Sequence, residues 1–196
     1  MLINRLLKLP VIAPVLAGLV ICLIQTQIAS ADVVQNKVTI KKLNARCVTV
    51  DFELAPVTTL HQLAAPQVPW DEFFSKYASM SEVTLNKQLA KVRTAVEKNS
   101  RVTDLEGKLF LFGGWKWPEA RLWLDTLKAE QILYMTGSNN QGHAKPMQMH
   151  AQACSNQPVG TIMFSFDPTF YPLAVVAGEN DQIALTRQVP YGTAEF

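Results

Sequence analysis

The stretch Gly107-Lys108-Leu109-Phe110-Leu111-Phe112-Gly113-Gly114-Trp115-Lys116-Trp117-Pro118-Glu119-Ala120-Arg121-Leu122-Trp123-Leu124 sets the expectation for the fold. Leu109 to Phe112 is a short continuous apolar run, as expected of a strand buried on both faces. Ala120, Trp123, Leu124 and Leu127 then fall on one stripe of a helix that begins after Pro118, a residue suited to a first turn. A strand therefore runs into a helix through Lys116-Trp117-Pro118-Glu119, and that turn carries a cation and an anion but no thiol.

Downstream, the pattern predicts a strand over Gln131 to Thr136, a polar loop Gly137 to Gly142, and a helix from Pro146 to Cys154. A third strand over Gly160 to Phe166 follows. A hairpin, Tyr171 to Val176 and Gln182 to Gln188, turns at Gly178-Glu179-Asn180-Asp181. Upstream, Val38-Thr39-Ile40-Lys41 and Val48 to Leu54 alternate as strands around Asn44-Ala45-Arg46. Pro56, Pro66 and Pro69 mark Ala55 to Pro69 as a connector. Trp70, Phe73, Phe74 and Tyr77 have helical spacing. Ser79 and Glu82 have capping-box spacing ahead of a second stripe, Leu85, Leu89, Val92 and Val96, and the lysines off it read as a solvated face.

The first 31 residues have the order of a signal peptide: Arg5 and Lys8, the apolar run Val11 to Ile24, then Ala29-Ser30-Ala31 before Asp32. Pro10 and Pro14 argue against an uncleaved anchor, and Ile21 before Cys22 does not fit a lipidation box. Cleavage would leave 16 basic against 16 acidic residues. That balance offers no positive field for nucleic acid. It also leaves no apolar run for a membrane span, and it leaves Cys47 and Cys154 as the two thiols in an oxidising compartment. They can form one disulfide or stay free, and a redox role through them stays open.

The order of elements from Leu105 onward, a right-handed βαβ unit closed by a hairpin, is similar to a thioredoxin-like arrangement whose two active-site cysteines are replaced by Lys116 and Glu119. The resemblance implies a cis Pro172 facing the turn. The chain further resembles the TrbC and TraW group of conjugative pilus-assembly proteins. The likeness lies in the Leu109 to Gly114 strand, the Trp-rich helix after it, Tyr134-Met135-Thr136-Gly137-Ser138, Phe166-Asp167-Pro168 and Tyr171-Pro172, with only Thr169-Phe170-Tyr171 between Pro168 and Pro172. That resemblance implies a non-enzymatic, periplasmic assembly component of a type IV secretion envelope complex, binding protein partners and needing no cofactor.

The expected fold class is α/β: a thioredoxin-like domain at 105–196, a central mixed sheet with flanking helices, preceded by a strand-plus-helix region at 32–104 and a signal peptide at 1–31. The expected partner surface is Trp115, Lys116, Trp117, Pro118 and Glu119 with Pro172 opposite. The alternative is a soft-metal site, suited to copper, from His143, Met147, His150 and Cys154 along one helical face. The three histidines have no Gly-x-Ser-x-Gly partner, so a serine hydrolase is not indicated.

Overall fold

A computed structural model describes residues 36–137, 145–178 and 181–196. The residues read as a signal peptide, most of the expected polar loop with His143, and Glu179 and Asn180 of the expected turn lie outside the described residues. The described residues fall within one compact unit.

The alternating stretches form two strands, β1 (Asn36–Lys42) and β2 (Cys47–Leu54), which pair antiparallel as a hairpin. The side chain of Asn44 closes it, its Oδ1 accepting from the amides of Arg46 at 2.9 Å and Cys47 at 3.0 Å. Strict alternation puts Val48, Val50, Phe52 and Leu54 inside, and Thr49, Asp51 and Glu53 on the other face.

Helix α1 (Pro56–Ala64) occupies part of the stretch expected to be a connector. Pro56 is its first residue, where a missing N–H costs nothing and the fixed φ suits a helix. Helix α2 (Trp70–Tyr77) and helix α3 (Glu82–Asn99) carry the stripes read from their spacing, and Leu85, Leu89, Val92 and Val96 are all buried. The N-cap of α3 is Ser81, which accepts from the Thr84 amide at 3.2 Å, whereas Ser79 bonds back to the Ser75 carbonyl at 2.6 Å.

After strand β3 (Arg101–Asp104), strand β4 (Leu111–Lys116) leads into helix α4 (Ala120–Met135). The strand-turn-helix junction stands where the sequence put it, but β4 is an edge strand, and Leu111 is 76% exposed rather than buried on both faces. No strand forms over Gln131 to Thr136. Helix α4 continues to Met135, because Ala129, Glu130, Gln131 and Leu133 extend a helix already anchored by buried Trp123 and Leu127.

Strand β5 (Met147–Cys154) replaces the expected second helix. Met147, Met149, Ala151 and Ala153 alternate into the core, a period of two that pairing with β2 enforces from Leu54↔Met147 to Cys47↔Cys154. Strand β6 (Ile162–Ser165), a 3-10 turn (Pro168–Phe170), strand β7 (Leu173–Ala177), strand β8 (Asp181–Leu185) and strand β9 (Tyr191–Ala194) complete the chain.

The large sheet has the order β4-β5-β2-β1-β7-β8, and β1–β7 is its parallel pair. A smaller sheet has the order β3-β6-β9. The class is thus α/β, a mixed six-stranded sheet with four helices among the described residues. Two expectations differ. Strands from both sides of residue 104 share one sheet, with β1 and β2 at its centre, because the hairpin's buried face needs neighbours on both edges. The β4-α4-β5 connection joins antiparallel neighbours, not the parallel pair of a βαβ unit. The inward face of the large sheet shares one core with the stripes of α3 and α4, while the face bearing Thr39, Asp51 and His150 stays open to solvent.

Candidate functional site

Gly114 sits at φ +62°, a left-handed conformation in which a side chain is disfavoured. The register against β5 shifts between Gly113 and Lys116, a bulge that re-aims the end of β4. Trp115 consequently stacks on Phe52 at 5.8 Å, on Phe112 at 5.5 Å and on Trp117 at 5.6 Å between ring centroids. Trp117 leans toward α3. Its Nε1 donates to Glu97 Oε1 at 3.1 Å, and the Arg93 guanidinium lies 6.0 Å from its ring centroid, within cation–π range. Both tryptophans are half-buried, so each serves the core and still presents an edge.

The turn is a wall between two recesses. On one side a groove of about 950 Å³ runs over the open sheet face, lined by Lys41, Lys116, Trp117, Pro118 and His150 among others. On the other, a recess of about 580 Å³ lies between the turn and α3, lined by Glu82, Arg93, Trp115, Trp117 and Glu119. Lys116 and Glu119 therefore serve different recesses, and they form no ion pair among the described residues. Pro172 is cis, as the resemblance implied, but it does not face the turn. It precedes β7, four strand positions from β4, which at ~4.8 Å per strand is about 19 Å away.

Within the groove the register aligns Thr39, Asp51, His150 and Lys116 across four strands. His150 Nδ1 and Asp51 Oδ1 are 2.6 Å apart, and both side chains are partly exposed. Lys37 and Glu53 pair at 3.9 Å beside them. Periodicity did not reveal this row, because its members lie far apart in sequence. The available signal was the matched alternation of Thr49-Asp51-Glu53 with Gln148-His150-Gln152.

The metal alternative does not survive the strand. On a strand, Met147 points into the core while His150 and Cys154 point to the opposite face. Cys154 is bonded to Cys47, and His143 lies outside the described residues. No group of three or more His, Cys, Asp or Glu able to hold a metal occurs among the described residues. The Cys47–Cys154 disulfide bridges directly opposed residues, Cα–Cα 4.1 Å, at the end of β5 away from the turn. His61 is largely buried, its Nε2 lying 2.7 Å from the Val68 carbonyl oxygen, its ring stacked 4.0 Å from Trp70. No described helix is long and apolar enough to cross a membrane. Comparison with protein-family models, curated proteins and solved structures found no match.

Proposed function

We propose that this chain is a non-enzymatic, protein-binding component of a periplasmic envelope assembly, of the conjugative or type IV secretion kind that the resemblance to TrbC and TraW implies, with Lys116-Trp117-Pro118-Glu119 at the partner contact. One observation carries the contact: the turn stands between two open recesses and offers each of them an edge of a partly buried tryptophan. Such aromatic anchors, half seated in their own protein, supply much of the binding energy at interfaces. The Cys47–Cys154 disulfide supports an oxidising compartment, which fits export to the periplasm. A thioredoxin-like origin is supported by the strand-turn-helix junction and the terminal hairpin, while the antiparallel β4–β5 pair departs from it. The binding proposal does not depend on that origin.

Complementation tests the reading. In a donor strain lacking this chain, the wild-type chain is expected to restore conjugative transfer. Trp117→Ala, exported at equal level and still folded, is expected to lower transfer about tenfold or more, as loss of an aromatic anchor does. Transfer that is indifferent to deletion refutes the envelope role. Full transfer with Trp117→Ala refutes the contact surface.

A further inference from the structure

Strand β4 stops at Lys116, opposite His150, while β5 continues back to Met147. The outer edge of β5 over Met147–Met149 therefore has no strand partner among the described residues, because the chain that would have paired there turns at Pro118 into α4. The groove over the open sheet face reaches this edge, where its lining includes Met147, Gln148 and Met149 of β5 together with Trp117, Pro118 and Leu122. An unpaired edge beside an apolar wall suits an extended segment that continues the sheet.

The charges in the groove are unequal. Of its two acids, Glu53 pairs with Lys37 at 3.9 Å and Asp51 is hydrogen-bonded to His150 at 2.6 Å. Lys116 and Lys145, which bracket the free edge, have no ion pair among the described residues, and neither has Lys41 on the sheet face. Position 145 lies five residues before His150, the register partner of Lys116, so the bracketing cations are about 16 Å apart at ~3.3 Å per residue. One small anion does not fill that span. Five extended residues do.

We propose that the groove takes an extended acidic peptide segment of a partner protein, added as a short strand along Met147–Met149, with carboxylates at Lys116 and Lys145 and an apolar side chain against Trp117, Pro118 and Leu122. This rests on the protein-binding reading and names the chemistry of the partner.

The test uses the full exported chain and fluorescence polarisation of a labelled Glu-Val-Glu-Val-Glu-Val peptide. Binding is expected, weakening with salt as partly exposed charge pairs do. The double variant K116E/K145E is expected to weaken it about tenfold or more, consistent with loss of two charge contacts. K108E, whose ammonium is paired with Glu106 at 2.9 Å outside the groove, is expected to leave it unchanged. N-methylation of alternate peptide amides is expected to abolish it, since strand addition uses main-chain hydrogen bonds. Equal binding of a Lys-Val hexamer overturns the proposal, as does unchanged affinity in K116E/K145E or for the N-methylated peptide. Displacement by inorganic phosphate or phosphatidylglycerol vesicles at equal charge also overturns it, in favour of a general anion site. If Trp117→Ala loses transfer while K116E/K145E keeps both peptide affinity and transfer, the acidic-peptide assignment falls and the protein-binding reading stands.

Discussion

Replacing both bridging cysteines, Cys47→Ala with Cys154→Ala, removes a cross-link that closes a loop of 107 residues. In the chain-entropy description such a loop restricts the denatured ensemble by about 16 cal/mol/K, or about 4.8 kcal/mol near room temperature. Domains of this size are commonly stable by only ~5–15 kcal/mol, so the variant is expected to stand near the edge of folding. The native state itself loses little, because β2 and β5 stay paired in register over the six residue pairs from Val48↔Ala153 to Glu53↔Gln148 that separate the bridge from the end of the ladder. Urea unfolding of the oxidised wild type against the double variant measures the difference. The midpoint is expected to fall sharply, with a steeper slope, because a chain without its cross-link exposes more surface on unfolding. A loss below about 1 kcal/mol with an unchanged slope would refute the reasoning, since the bridge would then not be constraining the denatured chain.

Two other perturbations probe the core and the termini of the fold. A Cβ at Gly192 would lie 2.7 Å from Cε2 and 2.8 Å from Cζ of Phe164, and 3.2 Å from Ile183, while Phe164 is itself 2% exposed and has no room to swing. Gly192→Ala is therefore expected to cost about 1–3 kcal/mol by overpacking, read as a fall in Tm of about 2–4 °C per kcal/mol; an unchanged Tm contradicts the close packing. Burial pushes the phenols of Tyr77 and Tyr171 above their ordinary value of 10.0, and the Tyr171 hydroxyl donates to the Phe166 and Pro190 carbonyls at 3.1 Å and 2.7 Å. With folded values raised, the unfolded chain releases its protons first, so stability is full below pH 10 and is lost as pH rises through the folded values. Thermal melts through that window are expected to show the decline, and Tyr171→Phe to make it shallower; an equal slope in the variant rules out Tyr171 as a contributor.

Local patterns carried the parts of the fold that local physics decides. The β1–β2 hairpin, the stripes of α2 and α3, and the junction at Lys116 to Glu119 are each specified by neighbours within a few residues. The errors arose where distant pairing decides. Pro146 and the residues after it suit either period, and only the ladder to β2 selects the strand. Ile132 and Tyr134 have strand propensity, yet they sit on a helix already nucleated upstream. Strands β3 (Arg101-Val102-Thr103-Asp104) and β9 (Tyr191-Gly192-Thr193-Ala194) carry little apolar pattern of their own, and are held by pairing with β6. The turn at the candidate site was legible, but the groove beside it was not. Its floor is assembled from β1, β2, β4 and β5, and no spacing in the chain records that register.

The parallel β1–β7 ladder joins Asn36 to Leu173, so the centre of the sheet is completed only when most of the chain has arrived. Until β5 and β7 are in place, the early hairpin has two open edges and an apolar face of Val38, Ile40, Val50 and Phe52. Long-range pairing of this kind slows folding, and half-finished sheets are prone to intermolecular association. A chain emerging N-terminus first thus carries this apolar face uncovered for most of its synthesis.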